Sequence, residues 1–169
     1  MKHYPEWRIR YNTAHYNYTC QRAPNVVRDG FYTGPTLPKV ATANGLTQFI
    51  CNFLSWTGSH GERTNNMGVP VVKKIPKMNI FSGKVEHKDG GIEWRKGTGI
   101  KGTSDIKGHI KNNKHKFPIP FYVEIKIGRD KKSNDQILYD KMITKTGAIY
   151  SIIKTPQDWF AFYDHVIQL

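Results

Sequence analysis

The apolar positions first fall into a helical period at Leu46, Phe49, Ile50, Phe53 and Leu54. Their spacing of i, i+3, i+4, i+7 and i+8 predicts one stripe along a helix. Thr42 or Asn44 can cap its start, and Gly58 stands where it would end. The preceding residues 1–40 are rich in Tyr, Trp, Pro and Asn (HYPEWRIRYNTAHYNY, FYTGPTLP) and keep no period of 3.6 or 2, which reads as an extended aromatic arm lying on the body. Residues 60–100 carry Gly, Pro and Lys punctuation without a helical stripe, predicting strands and loops. Residues 100–110 (IKGTSDIKGHI) then alternate short apolar and polar side chains around Gly102 and Gly108, and 111–116 form a polar turn.

Residues 117–127 (FPIPFYVEIKI) make the strongest strand pattern. From Phe121 it sets Phe121, Val123, Ile125 and Ile127 on one face and Tyr122, Glu124 and Lys126 on the other. Ser133-Asn134-Asp135-Gln136 is a capping box that opens a helix through about Lys145, ending at Gly147. The apolar run 148–153 (AIYSII) predicts a short strand. Thr155-Pro156-Gln157-Asp158 is a second capping signature with Pro at the first helical position, opening a terminal helix with an apolar stripe of Trp159, Phe160, Tyr163, Val166 and Ile167. Strand, helix and strand from 121 to 153 form one βαβ unit, so part of the sheet is expected to be parallel with a right-handed crossover. The expected architecture is α/β, a mixed central sheet flanked by helices over residues 41–169, preceded by the arm over 1–40.

Charge adds the first functional constraint. Lys and Arg number 26 against 13 Asp and Glu, a formal net charge of +13. Residues 66–116 alone hold twelve basic and four acidic residues, a balance of +8. Solvated loops with solubilising lysines would explain this, as would a face that tracks the phosphates of a polyanion. No run approaches eighteen apolar residues, so no membrane span is expected. The opening MKHYPEWRIR has no apolar core of a secretory signal. Cys20 and Cys51 have neither a CxxC spacing nor Cys/His partners at ligand spacing, which argues against a disulfide scaffold and a zinc finger. His60, His87, His109 and His115 read as loop residues rather than ligands. GTGIKG lacks the flanking elements and the Lys-Ser/Thr of a Walker loop.

Three polar residues remain on the expected sheet. Glu124 and Lys126 differ by two positions and share a strand face. Asp105 lies nineteen positions before Glu124, room enough for a strand, a turn and a return strand. Two adjacent carboxylates repel unless a hard cation lies between them, and Mg²⁺ is held by one or two carboxylates with several retained waters. A neighbouring Lys can orient the attacking water and stabilise charge on phosphorus. By spacing alone, a surface Asp and a mutually neutralising Glu/Lys pair fit equally well.

The order KGTSDIKG, VEIKIG, RDKKSNDQ, TGAIYSI and TPQDW resembles the VRR-NUC branch of the PD-(D/E)XK nucleases over about residues 42–165, in particular the small stand-alone versions of phages and mobile elements. The resemblance implies a restriction-endonuclease-like core and Mg²⁺-dependent DNA endonuclease activity, with Mn²⁺ as a substitute. It assigns Asp105 and Glu124 as metal-binding carboxylates, the carbonyl of Ile125 as a further ligand, Lys126 as the catalytic lysine and Gln136 as the helix residue facing the site. Gln136 is also the third helical residue of its capping box. Arg63, Arg95, Lys96 and Lys101 are the expected phosphate contacts. Small members of the branch are often dimers that resolve four-way junctions, which implies DNA, branched DNA included, and a second copy of the chain as partners. The implied location is the cytoplasm of a bacterial host, or the virion. Many members carry an acid in the first core helix. ATANGLTQFICNFL has none, offering Asn44 or Gln48, with Glu62 in the following GERTN as the nearest carboxylate. That gap keeps open a basic nucleic-acid-binding module, or a virion-associated protein, on a nuclease-like fold without cleavage.

Overall fold

Each of the three longer helices after residue 40 begins at a hydroxyl cap. Thr42 accepts a hydrogen bond from the Gly45 N–H at 3.1 Å, Ser133 from Gln136 at 3.3 Å and Thr155 from Asp158 at 3.2 Å. These caps satisfy amides that a helix start would otherwise leave unpaired. A computed structural model describes residues 4–64, 69–78, 82–95, 100–112, 114 and 117–169. The elements in chain order are α1 (Glu6–Arg22), α2 (Pro24–Arg28), α3 (Ala43–Trp56), β1 (His60–Arg63), β2 (Val69–Met78), β3 (Val85–Arg95), β4 (Ile106–Ile110), β5 (Ile119–Ile125), α4 (Asn134–Lys145), β6 (Ile149–Ile153) and α5 (Pro156–Gln168). They form two compact units, one of Met1–Thr64 with Gly102–Leu169 and one of Asn65–Lys101.

The larger unit is α/β, built on a four-stranded sheet in the order β1-β4-β5-β6. β4 pairs antiparallel with both β1 and β5, while β5 and β6 run parallel across α4, so the sheet is mixed. Period-two alternation sorts its two faces. Ile106, Ile110, Phe121, Val123, Ile125 and Ile153 pack with Leu46, Phe49, Ile50, Phe53 and Leu54 of α3 and with Trp159, Phe160 and Val166 of α5. On the opposite face, Tyr122 and Tyr150 meet Tyr139 and Ile143 of α4. The smaller unit is the antiparallel two-stranded sheet β2–β3. No helix among the described residues is long and apolar enough to cross a membrane.

The first forty residues correct an expectation. They are not an extended arm: residues 6–22 form α1, which sits in the core. Trp7, Tyr11, Ala14 and His15 recur at i, i+4, i+7 and i+8, but hydroxyls and an imidazole disguise the stripe. Tyr11 is wholly buried, stacked on Phe49 with ring centroids 4.3 Å apart, and Trp7 meets the same ring edge-on. Asn52 donates to the Tyr11 hydroxyl at 3.2 Å, which removes the penalty of burying it. Arg10 clamps the Asp164 carboxylate of α5 with bonds of 2.7 and 2.6 Å while lying over the Phe160 ring.

Tyr11→Ala should therefore destabilise the protein by about 3–5 kcal/mol in chemical denaturation, as expected for emptying a large buried aromatic site. A loss below about 1 kcal/mol would mean that α1 merely rests on the surface.

Candidate active site

Asp105, Glu124, Lys126 and Gln136 come from a strand entrance, a strand end and a helix start, and the sheet register explains why they meet. β4 and β5 pair Ile106 with Val123, so Asp105, one residue before β4, faces the Glu124 end of β5. The Ile125 N–H donates to Asp105 Oδ2 at 2.8 Å, tying that carboxylate to the edge of β5. Lys126 follows β5 directly, and its own N–H still bonds Ile153 of β6 at 3.1 Å. The site thus lies at the carboxyl end of the parallel pair, where an open α/β sheet leaves room for a ligand.

Gln136 performs both roles that its position allows. Its Oε1 accepts the Ser133 N–H at 2.9 Å, closing the capping box, while its Nε2 donates to Glu124 Oε1. Gly102 packs against the backbone at the start of α4. It has φ +77°, and a Cβ there would collide with the backbone carbonyl of Asp135 at the start of α4. Only glycine lets the loop leading to Asp105 press against the turn that carries Gln136.

Glu124 is 2% exposed, and Lys126 is 6% exposed. Lys126 Nζ lies 3.1 Å from Glu124 Oε1 and 3.2 Å from Asp130 Oδ2. Burial raises the Glu124 pKa, the Asp105 charge raises it further, and Lys126 only partly opposes them. Burial lowers the Lys126 pKa, but its bonds to Glu124 and Asp130 outweigh this and raise it, so Lys126 is an ammonium donor at neutral pH. Glu124 Oε2 is buried with no hydrogen-bond partner among the described residues. An orphaned carboxylate oxygen beside a second carboxylate is a poor arrangement for stability and a good one for a cation. Asp105, Glu124 and the Ile125 carbonyl are hard oxygen donors and suit Mg²⁺ with retained waters.

No family model, curated protein or solved structure matches this chain. The site's chemistry stands on its own geometry.

The missing helix acid has no replacement among the described residues, where no group of three His, Cys, Asp or Glu is placed to hold a metal. Asn44 and Gln48 are exposed on α3. Glu62 pairs with Lys107 across β1 and β4 at 3.1 Å as an exposed ion pair. Of the expected phosphate contacts, Arg63 is exposed on β1 and Lys101 is exposed in the turn before Gly102. Arg95 ends β3, and Lys96 and the Arg95 side chain lie outside the described residues. His60 and His109, read as loop residues, are instead cross-strand partners in β1 and β4, and His87 lies in β3. His115 lies outside the described residues.

Two residues escaped the sequence. Asp130 sits four positions after Lys126, across the Gly128 turn, a spacing that could have marked it as the second partner of the lysine. Tyr150 lies on the Glu124 face because β6 pairs it with Tyr122, two residues before Glu124. Burial first, and then the charges of Glu124, Asp140 and Asp105, hold its phenol well above the usual tyrosine range. It therefore stays protonated. Its hydroxyl is also buried without a partner among the described residues. Lys132 covers the Tyr150 ring at 4.4 Å and bonds Asp140 at 2.6 Å.

Asp105→Asn removes the neighbouring charge but keeps an oxygen for the Ile125 N–H. In metal-free protein Glu124 should then titrate at a lower pH than in the parent, followed by its ¹³C carboxyl shift. An unchanged or higher pKa would mean that burial alone sets it. Gly102→Ala should cost at least about 1–2 kcal/mol, the penalty of a left-handed non-glycine residue, before the collision with Asp135 is added. Chemical denaturation measures it, and a neutral result would show that the loop has room to shift.

Proposed function

We propose that this chain is a Mg²⁺-dependent endonuclease hydrolysing phosphodiester bonds of DNA, with Mn²⁺ as a substitute. The observation that carries the reading is the convergence of Asp105, Lys126 and Gln136 on the buried Glu124 carboxylate, whose Oε2 has no partner among the described residues. The resemblance to the VRR-NUC branch of the PD-(D/E)XK nucleases supports it with the same residues in the same order, and extends it to a restriction-endonuclease-like core. Asp105, Glu124 and the Ile125 carbonyl would hold the cation. The bound ion would polarise a phosphoryl oxygen and make water nucleophilic near neutral pH.

The protein's own groups supply the rest. Gln136 and Lys126 hold Glu124 Oε1, leaving Oε2 for the ion. Lys126, kept cationic by Glu124 and Asp130, donates to the attacking water or to a phosphate oxygen as charge builds there. It is a donor and not a base, because its proton is held more tightly than in water. Branched DNA such as four-way junctions, a homodimeric assembly, and the cytoplasm of a bacterial host or the virion as the site of action belong to the same proposal.

A second reading, a basic DNA-binding module without cleavage, is favoured by one observation. Among the described residues no group of three His, Cys, Asp or Glu is placed to hold a metal. Incubation of linear and branched DNA with Mg²⁺ or Mn²⁺ against EDTA separates the two readings. Cleavage that EDTA abolishes supports the nuclease, and none on any substrate with Mn²⁺ supports the binding module. Lys126→Ala should lower turnover by about 10²–10³-fold, the usual cost of losing one transition-state donor, with DNA affinity little changed. Equal turnover in variant and parent would remove Lys126 from the mechanism. Asp105→Asn should abolish cleavage and leave DNA binding intact.

A further inference from the structure

The β2–β3 ribbon is a two-stranded sheet whose described residues are almost all exposed, Val71 alone being half-buried. Such a hairpin is marginal in water by itself. Its register pairs Val72 with Ile92 and, beyond a break, Met78 with Val85. Along β2, Val72, Lys74, Pro76 and Met78 share one face by alternation, Lys74 opposite Asp89, while Lys73, Ile75 and Lys77 share the other. Ile92 and Met78 are 69% and 68% exposed. At the break, Gly90 and Gly91 stand across from Lys73, and Gly91 takes φ +98°, a bulge that increases local twist and sets no side chain against that lysine. The unit Asn65–Lys101 holds eight basic and three acidic residues, +5 in 37 residues, more than twice the charge density of the remainder.

We propose that this ribbon enters the major groove of duplex DNA, its apolar face toward the base edges and its lysines on the flanking phosphates. The proposal rests on the nuclease reading for the identity of the polyanion. Size selects the groove: two strands about 4.8 Å apart, with side chains, fit a groove of about 12 Å and not the minor groove of about 6 Å. Thymine methyls offer apolar contact for Val72, Met78, Val85 and Ile92. Charge argues against a second copy as the occupant, because ribbon on ribbon would bring two +5 units together.

The test uses the full chain carrying Asp105→Asn, binding a labelled duplex between roughly 50 and 200 mM salt. Adding Lys73→Ala, Lys74→Ala and Lys77→Ala should reduce the magnitude of the log–log salt slope by up to about 2.7, at about 0.9 per phosphate contact. Arg at the three positions should restore it. Lys74 and Lys77 stand opposite Asp89 and Glu86, so Lys73 should contribute most. Methylation at guanine N7 should interfere with binding, and methylation at adenine N3 should not. An unchanged slope, interference confined to adenine N3, or a dimer that Val72→Asp with Ile92→Asp dissociates would each overturn the ribbon proposal. If the parent still cleaves DNA in any of these cases, the nuclease reading survives alone. A parent that neither binds nor cleaves DNA would overturn both.

Discussion

Burying the carboxylate of Glu124 is the constraint on which the rest of the site depends. At the end of β5 it is removed from water with Asp105 beside it, and both effects oppose its ionisation. A buried charge of this kind is tolerated only when donors surround it, and even a good ion pair repays its desolvation poorly. The fold supplies Lys126 from the residue after β5 and the Gln136 amide from the first turn of α4. Both act on Oε1. Leaving Oε2 without a donor makes little sense for stability, and it is the feature that sets this site apart from an internal salt bridge.

The geometry depends on a close approach of backbones rather than on side-chain packing. Gly102 lets the segment before Asp105 touch the start of α4, while the β4–β5 register and the Ile125 N–H bond set Asp105 beside Glu124. Gln136 links helix formation to site geometry, because the group that closes the capping box also holds Glu124 in place. The helix start and the pocket are therefore one structure. Behind the sheet, α1, α3 and α5 pack a largely aromatic layer against the strands.

The two compact units divide the physical work. The larger unit concentrates burial, aromatic packing and the paired charges. In the smaller, nearly all of the described apolar and basic side chains are exposed. A long exposed ribbon otherwise invites edge pairing, and its lysines and prolines are the usual devices against that.

Much of this was legible in the sequence wherever the signal is local. The stripe of α3, the capping boxes of α4 and α5, the alternation of β5 and the parallel pairing across α4 depend on residues within a few positions of one another or on a single chain crossing. The Glu124/Lys126 spacing and the capping role of Gln136 were readable for the same reason, whereas its place facing the site was implied only by the family resemblance. What the tertiary structure alone decided depends on contacts between distant segments. Tyr11 becomes a core residue because Phe49 and Asn52 receive its ring and its hydroxyl, so a tyrosine-rich stretch folds as a helix with one side packed on the core. Tyr150 joins the site because a parallel register places it beside Tyr122, and Asp130 because the Gly128 turn brings it back to Lys126. Periodicity records which face of an element is apolar, but it carries no record of which polar groups meet once the faces have packed.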